Sequence, residues 1–198
     1  MTQTINNLAF GIQQAQHTAS EDAARYNLNA VFIYIYGDKV RVEACDGYAL
    51  SVREFTDSVF EGLSGSYALL REQFKIFNEV LKTKKAFFSK NAEGDLLYGD
   101  SVKIKTIENA MIANKRAFSE LMNYLSHVES SKLPIDCTFN PELLQNLVKA
   151  LTPQKMFSLQ IVKMTQKEAQ GPILVKVKTE INKNESIITH GLLMPCRD

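Results

Sequence analysis

RYNLNAVFIYIYGDKVRVEACDGYALSVREF, residues 25–55, decides how this chain is read. Val31, Ile33 and Ile35 alternate with Phe32, Tyr34 and Tyr36, and β-branched and aromatic residues in period two suit a pleated surface. Gly37-Asp38 interrupts the run and supplies the positive φ that a tight hairpin turn needs. Alternation resumes over residues 39–45, with Val40, Val42 and Ala44 on one face and Lys39, Arg41 and Glu43 on the other. Asp46-Gly47 then turns the chain again into the stretch from Tyr48 to Phe55. The expectation is an antiparallel meander of three short strands. Glu43 and Asp46 read as a solvent-facing strand charge and a turn aspartate rather than as paired carboxylates or metal ligands.

Bulk properties narrow the class. The chain has 198 residues, 45% hydrophobic and 23% charged, which is ordinary globular composition. A chain of this length buries roughly 70% of its unfolded surface and needs no covalent staples. It fits one large domain or two small ones. The net charge is +1, so contact with nucleic acid or membrane must come from a local patch. Cys45, Cys137 and Cys196 are odd in number and form no CxxC pair, which reads as free thiols in a reducing compartment. The N-terminus has no basic region ahead of an apolar core, and no apolar run approaches the ~20 residues of a membrane span. A soluble, cytoplasmic protein is expected.

Around the meander lie helices with strands behind them. Residues 4–19 have helical spacing at Ile5, Leu8, Ile12 and Ala15, with Thr4 as N-cap and Gln13, Gln14 and His17 on a neutral polar face. Residues 56–65 read as a loop and 66–70 as a strand. Residues 71–83 read as a second helix, with Phe74, Phe77, Val80 and Leu81 inward and Arg71, Lys75, Asn78 and Lys82 outward beside Glu72 and Glu79. Strands follow at 85–89, 95–98 and 101–107. Residues 114–127 carry a weaker helical pattern, and Ser130 to Pro134 is the linker candidate. Asn140-Pro141-Glu142 then opens a third helix with an Asn cap, proline at the first helical position and an acid in the first turn. Its apolar face is Leu143, Leu144, Leu147, Val148 and Leu151, and strands are expected at 156–164, 172–179 and 186–194. The same order of elements recurs, and each unit has a helix face and a sheet face that must bury each other.

No catalytic signature appears: GxxxxGK[ST], HExxH, GxSxG and GxGxxG are all absent. His17, His127 and His190 fall on separate elements, and His190 near Cys196 reads better as a strand histidine and a half-buried thiol than as a nucleophilic pair. No enzyme, metal or cofactor is expected. Lys75, Lys82, Lys84 and Lys85 with Arg71 read most simply as a solvated helix face, diluted by Glu72 and Glu79.

The ordered string Arg-Tyr-x-Leu-Asn-(small)-Val, an alternating hairpin, then Ala-x-Asp-Gly-x-x-Leu-Ser-Val-Arg-Glu resembles the middle domain of the bacterial β sliding clamp, the processivity ring of the replicative polymerase. Residues 139–151 are similar to the helix of that family's final half-domain. Gly171 to Val175 and Leu192 to Arg197 are similar to its closing strands, although the family's characteristic ending is Met-Pro-x-Arg-Leu and this chain ends in Asp198. The resemblance implies an α+β DNA-clamp fold of about three helix-plus-antiparallel-strand units: a clamp-like domain at 1–110, a connector at 111–134 and a clamp-like half-domain at 135–198. On this resemblance, the family's first domain and the first half of its third are expected to have no counterpart here.

What the resemblance implies for function is non-enzymatic. In the family, polymerase, clamp loader and repair proteins insert a short peptide motif into an apolar groove. Carried over by position, its walls are Leu28, Cys45, Gly47, Tyr48 and Leu50, with Asn140, Leu143, Pro172, Leu192, Leu193, Met194, Pro195 and Arg197 from the last unit. Met194 suits varied anchors. Each of these side chains alone reads equally as core. Tyr48-Ala49 stands where His-Arg is common, and Leu143 replaces a frequent tyrosine. The clamp helices line the ring and meet phosphates without reading bases, which points Arg25, Tyr26, Arg71, Lys75, Lys82 and Lys149 toward double-stranded DNA, with Lys155 as a further candidate and Asn27 where a second tyrosine often sits. DNA would be encircled only by a homo-oligomer. The alternative is a monomeric or dimeric decoy or regulator that competes for clamp partners without touching DNA.

Overall fold

A computed structural model describes residues 4–22, 24, 28–107, 140–151, 159–163, 173–182 and 185–193. The connector, its expected helix at 114–127, and the turn at 183–184 lie outside the described residues. Helix α1 (Thr4–Ala15) ends in a 3-10 turn at Gln16–Thr18. The meander follows as β1 (Ala30–Tyr36), β2 (Lys39–Cys45) and β3 (Ala49–Thr56). A 3-10 helix at Ser58–Leu63 leads to β4 (Gly65–Leu70), and a 3-10 turn at Arg71–Gln73 opens α2 (Phe74–Lys82). Short strands β5 (Phe88–Lys90), β6 (Leu96–Tyr98) and β7 (Val102–Thr106) complete the second unit. The third comprises α3 (Pro141–Leu151), β8 (Leu159–Lys163), β9 (Ile173–Asn182) and β10 (Glu185–Leu193).

All ten strands form one antiparallel sheet in the order β5-β6-β7-β4-β1-β2-β3-β10-β9-β8. The meanders β1-β2-β3 and β8-β9-β10 therefore meet last strand to last strand, each preceded by its helix. On the helix side, Val31, Ile33, Ile35, Val40, Val42 and Ala44 bury against Leu8 and Ile12 of α1 and Phe77 of α2. A train of rings extends this core: Phe55–Phe60 and Phe60–Phe88 at 6.3 Å, Phe88–Tyr98 at 4.6 Å and Phe77–Tyr98 at 4.9 Å between centroids.

Several local expectations are corrected. Thr4 is the first helical residue rather than the cap. The loop at 56–65 holds a 3-10 helix because Asp57 caps it, its carboxylate accepting from Val59 N at 3.1 Å. The second helix begins as 3-10, and its Asn78 is not outward, since its amide donates to Gln16 Oε1 at 2.8 Å. Gln14 is buried and accepts from Arg53 Nη1 at 2.6 Å. Glu43, expected in solvent, is 1% exposed. The reason is a second core on the far side of the sheet, where Ala30, Phe32, Leu50, Val52 and Ala68 are all buried. Period two sorts side chains between faces, but here both faces are covered around Phe32, Glu43 and Val52, and the far face opens only toward the β1–β2 hairpin, at Tyr36 and Lys39.

Candidate partner-docking site

The β2–β3 turn is built by Asp46, whose Oδ1 accepts from Tyr48 N at 2.8 Å and Ala49 N at 2.7 Å. Gly47 adopts φ +96°, a conformation costly for any side chain. The turn delivers the chain into β3, and β3 pairs with β10 in the register Leu50↔Leu192 and Ala49↔Leu193. The hairpin and the C-terminal strand, far apart in sequence, thus run side by side, and β10 ends beside the turn.

Leu28 and Cys45 are half-buried, Gly47 is exposed, and Tyr48 is 53% exposed. Leu50 belongs to the far-side core. Burial pushes the Cys45 thiol up to about 11, so it remains protonated at neutral pH, and its Sγ accepts from Gly47 N at 3.2 Å. Asn140 caps α3 as expected, Oδ1 accepting from Glu142 N at 2.9 Å, and Leu143 is half-buried one turn along. Pro172, Met194, Pro195 and Arg197 lie outside the described residues, and for Leu192 and Leu193 only the backbone is described.

On the helix side, Lys75, Lys82 and Lys149 are exposed. Arg71 is occupied within the fold: Nη1 donates to Ala19 O at 3.2 Å and Ser20 O at 3.3 Å, Nη2 pairs with Glu21, and the guanidinium lies over the Phe74 ring. Arg25 and Tyr26 lie outside the described residues. A polar pocket of about 280 Å³ opens beside Asp46, between Gln16, His17, Arg71, Phe74 and Asn146. Burial, then the Lys149 charge, lowers the His17 pKa, so the imidazole is neutral at pH 7.

Two buried charges escaped the sequence reading. Arg53 is 7% exposed beneath α1, its guanidinium over the Phe10 ring, and burial lowers it to about 10. It stays charged at neutral pH, held by Gln14 and a ring face. Glu43 lies on the opposite face, its Oε2 2.6 Å from Arg41 Nη2, with Tyr34 as a further polar neighbour. Burial raises its pKa despite these partners.

No protein-family model matches the chain. It is 28% identical to the β sliding clamp of Rickettsia bellii over 131 residues, covering 63% of this chain and 33% of that protein. The DNA polymerase III β subunit of Thermotoga maritima superposes with a TM-score of 0.62 at 15% identity, over 98% of this chain and 64% of the other. The Pseudomonas aeruginosa sliding clamp gives 0.63 at 12% identity, over 98% and 65%. The chain thus spans about a third of the curated relative and just under two thirds of the solved ones. Among the described residues no helix is long and apolar enough to cross a membrane. A β-sliding-clamp resemblance read from residues 25–55 and the C-terminal strands, and an α+β sheet that superposes on solved clamps, establish that this chain has the DNA-clamp fold of the bacterial β sliding clamps.

Proposed function

We propose that the chain is a non-catalytic, sliding-clamp-like factor of DNA replication or repair that holds partner proteins by a short peptide motif. The observation carrying this reading is the β3–β10 pairing, which sets Ala49 and Leu50, just after the turn, beside Leu193 and Leu192 of the strand leading into Met194. A slot between them would take apolar anchors, with Tyr48 at its rim and Met194 moulding around the side chains offered. The partners that fit are a polymerase, clamp loader or repair protein carrying such a motif. In a labelled clamp-motif peptide titration, wild type binds and Met194→Lys weakens binding by at least about tenfold, the effect of one charge in an apolar pocket. Equal binding by both proteins, or none by wild type, defeats the groove.

The decoy reading draws on α1, which contains no charged residue between Thr4 and Ala15. A ring would need several copies and would touch phosphates mainly through Lys75, Lys82 and Lys149. Retention on closed circular DNA, released by linearisation, is the result expected of a ring. A monomer by solution mass with no retention on either DNA leaves only the decoy.

A further inference from the structure

The far face of the sheet carries an exposed aromatic and basic surface that partner docking does not use. Tyr34 and Tyr36 sit two residues apart on β1, on the face opposite the helices. Their rings are parallel to within 12°, with centroids 6.5 Å apart. That separation matches the step between alternate residues of a strand, about 6.6 Å, so each ring stands over its own backbone position. Tyr36 is 59% exposed. Tyr34 is half-buried and held by packing against the far-side core. A platform already ordered in this way loses little side-chain entropy when a ligand stacks on it.

The flanking charge is basic. Lys39 is the cross-strand neighbour of Tyr36, and Arg41 that of Tyr34. Lys105 reaches the same face from β7, opposite Ala68, which itself faces Phe32. Among the described residues Lys39 and Lys105 have no ion-pair partner. The acids nearby are Glu43, buried and held by Arg41, and Glu54, 3.9 Å from the same guanidinium. Three cations thus face two strand carboxylates already shared by one of them, with Asp38 of the β1–β2 turn as the third acid nearby.

We propose that this face binds single-stranded nucleic acid, two successive bases stacking on Tyr34 and Tyr36 while Lys39 and Lys105 meet the flanking phosphates. Parallel ring faces one strand step apart, with unpaired lysines on both sides, are the elements of a sequence-tolerant stacking platform. A duplex hides its base faces and gains nothing from the tyrosines. An acidic peptide satisfies the lysines but leaves the rings without flat partners. Tyr36, Lys39 and Lys105 are not among the groove walls, although Tyr34 packs on the same far-face cluster as Leu50 and Cys45, so the two surfaces are told apart by substituting Tyr36 rather than Tyr34.

The test is fluorescence anisotropy with a short labelled oligothymidylate. Wild type binds it better than the same sequence in duplex. Tyr36→Ala, at an exposed position, weakens binding about five- to a hundredfold, the range for one lost base stack. Lys39→Glu weakens it and flattens its salt dependence. Lys75→Glu with Lys82→Glu leaves it unchanged, and peptide binding in the groove is untouched by Tyr36→Ala. Absence of binding by wild type, equal binding by Tyr36→Ala, loss through the helix-side lysines, or tighter binding of polyglutamate than of oligothymidylate each overturns the proposal.

Discussion

Gly191→Val is expected to lower the unfolding free energy by about 3 kcal/mol, the upper range for overpacking a closed site. Gly191 lies in β10 between Ser51 of β3 and Val175 of β9. A Cβ there would stand 2.7 Å from Leu147 Cδ1 and 2.9 Å from Leu151 Cδ1. Methyl ends of leucines can often swing aside, but both of these side chains are fully buried where α3 seats on the sheet. Either α3 lifts or β10 shifts away from β3. Gly191→Ala should cost less, about 1 kcal/mol. Combining it with Leu147→Ala should cost less than the sum of the single changes, because the cavity left by one accepts the methyl added by the other. Thermal melts with a peptide titration check this. Stability lost with β10 displaced should carry peptide affinity down with it. A Gly191→Val protein as stable as wild type would mean that α3 does not sit against this strand.

The meander was legible because its signals are local. Alternation over residues 31–45 and the Gly37-Asp38 and Asp46-Gly47 dipeptides specify strands and turns without reference to the rest of the chain. The Asn140-Pro141-Glu142 start held for the same reason. The burial of Glu43 was not legible: the row Phe32–Glu43–Val52 crosses three strands, so the environment of its carboxylate depends on neighbours that no window contains. Arg53 shows the converse. Its parity with Ala49 and Ser51 on β3 points it toward α1, but the residue type argued for solvent, and only Phe10 and Gln14 explain how the cation is accommodated. The β3–β10 seam joins residues 49–54 to 188–193, and no periodicity encodes that pairing. It was suggested by resemblance to the clamps, whose groove draws on the same two stretches. The site is correspondingly uneven. Asp46 and Gly47 follow from turn chemistry, Leu50 proved to be a core residue, and the walls from Met194 onward lie outside the described residues.

Arg41→Met is expected to destabilise the protein in a manner that grows with pH. Glu43 is nearly inaccessible between Phe32 and Val52, and Arg41 supplies its counter-charge. Removing one partner of a buried pair leaves the other charge uncompensated, at about 3 kcal/mol or more. The second carboxylate near Arg41, Glu54, is half exposed and adds little. The sign follows from Glu43's pKa, which burial already holds above its ordinary 4.5. A carboxyl with a raised folded pKa binds its proton more tightly in the folded state. Its contribution therefore favours folding at low pH and declines as pH rises from 4.5 through the folded pKa. Losing Arg41 moves that folded pKa further up, so the penalty is small well below pH 4.5, where Glu43 is protonated in both states, grows as pH rises, and is complete above the new value. Urea unfolding at pH 5 and pH 8 should show the larger loss at pH 8. Adding Glu43→Gln to Arg41→Met should restore most of it, since the amide leaves no buried charge. A loss equal at both pH values and unrelieved by Glu43→Gln would mean that the arginine matters only through the packing of its aliphatic stem.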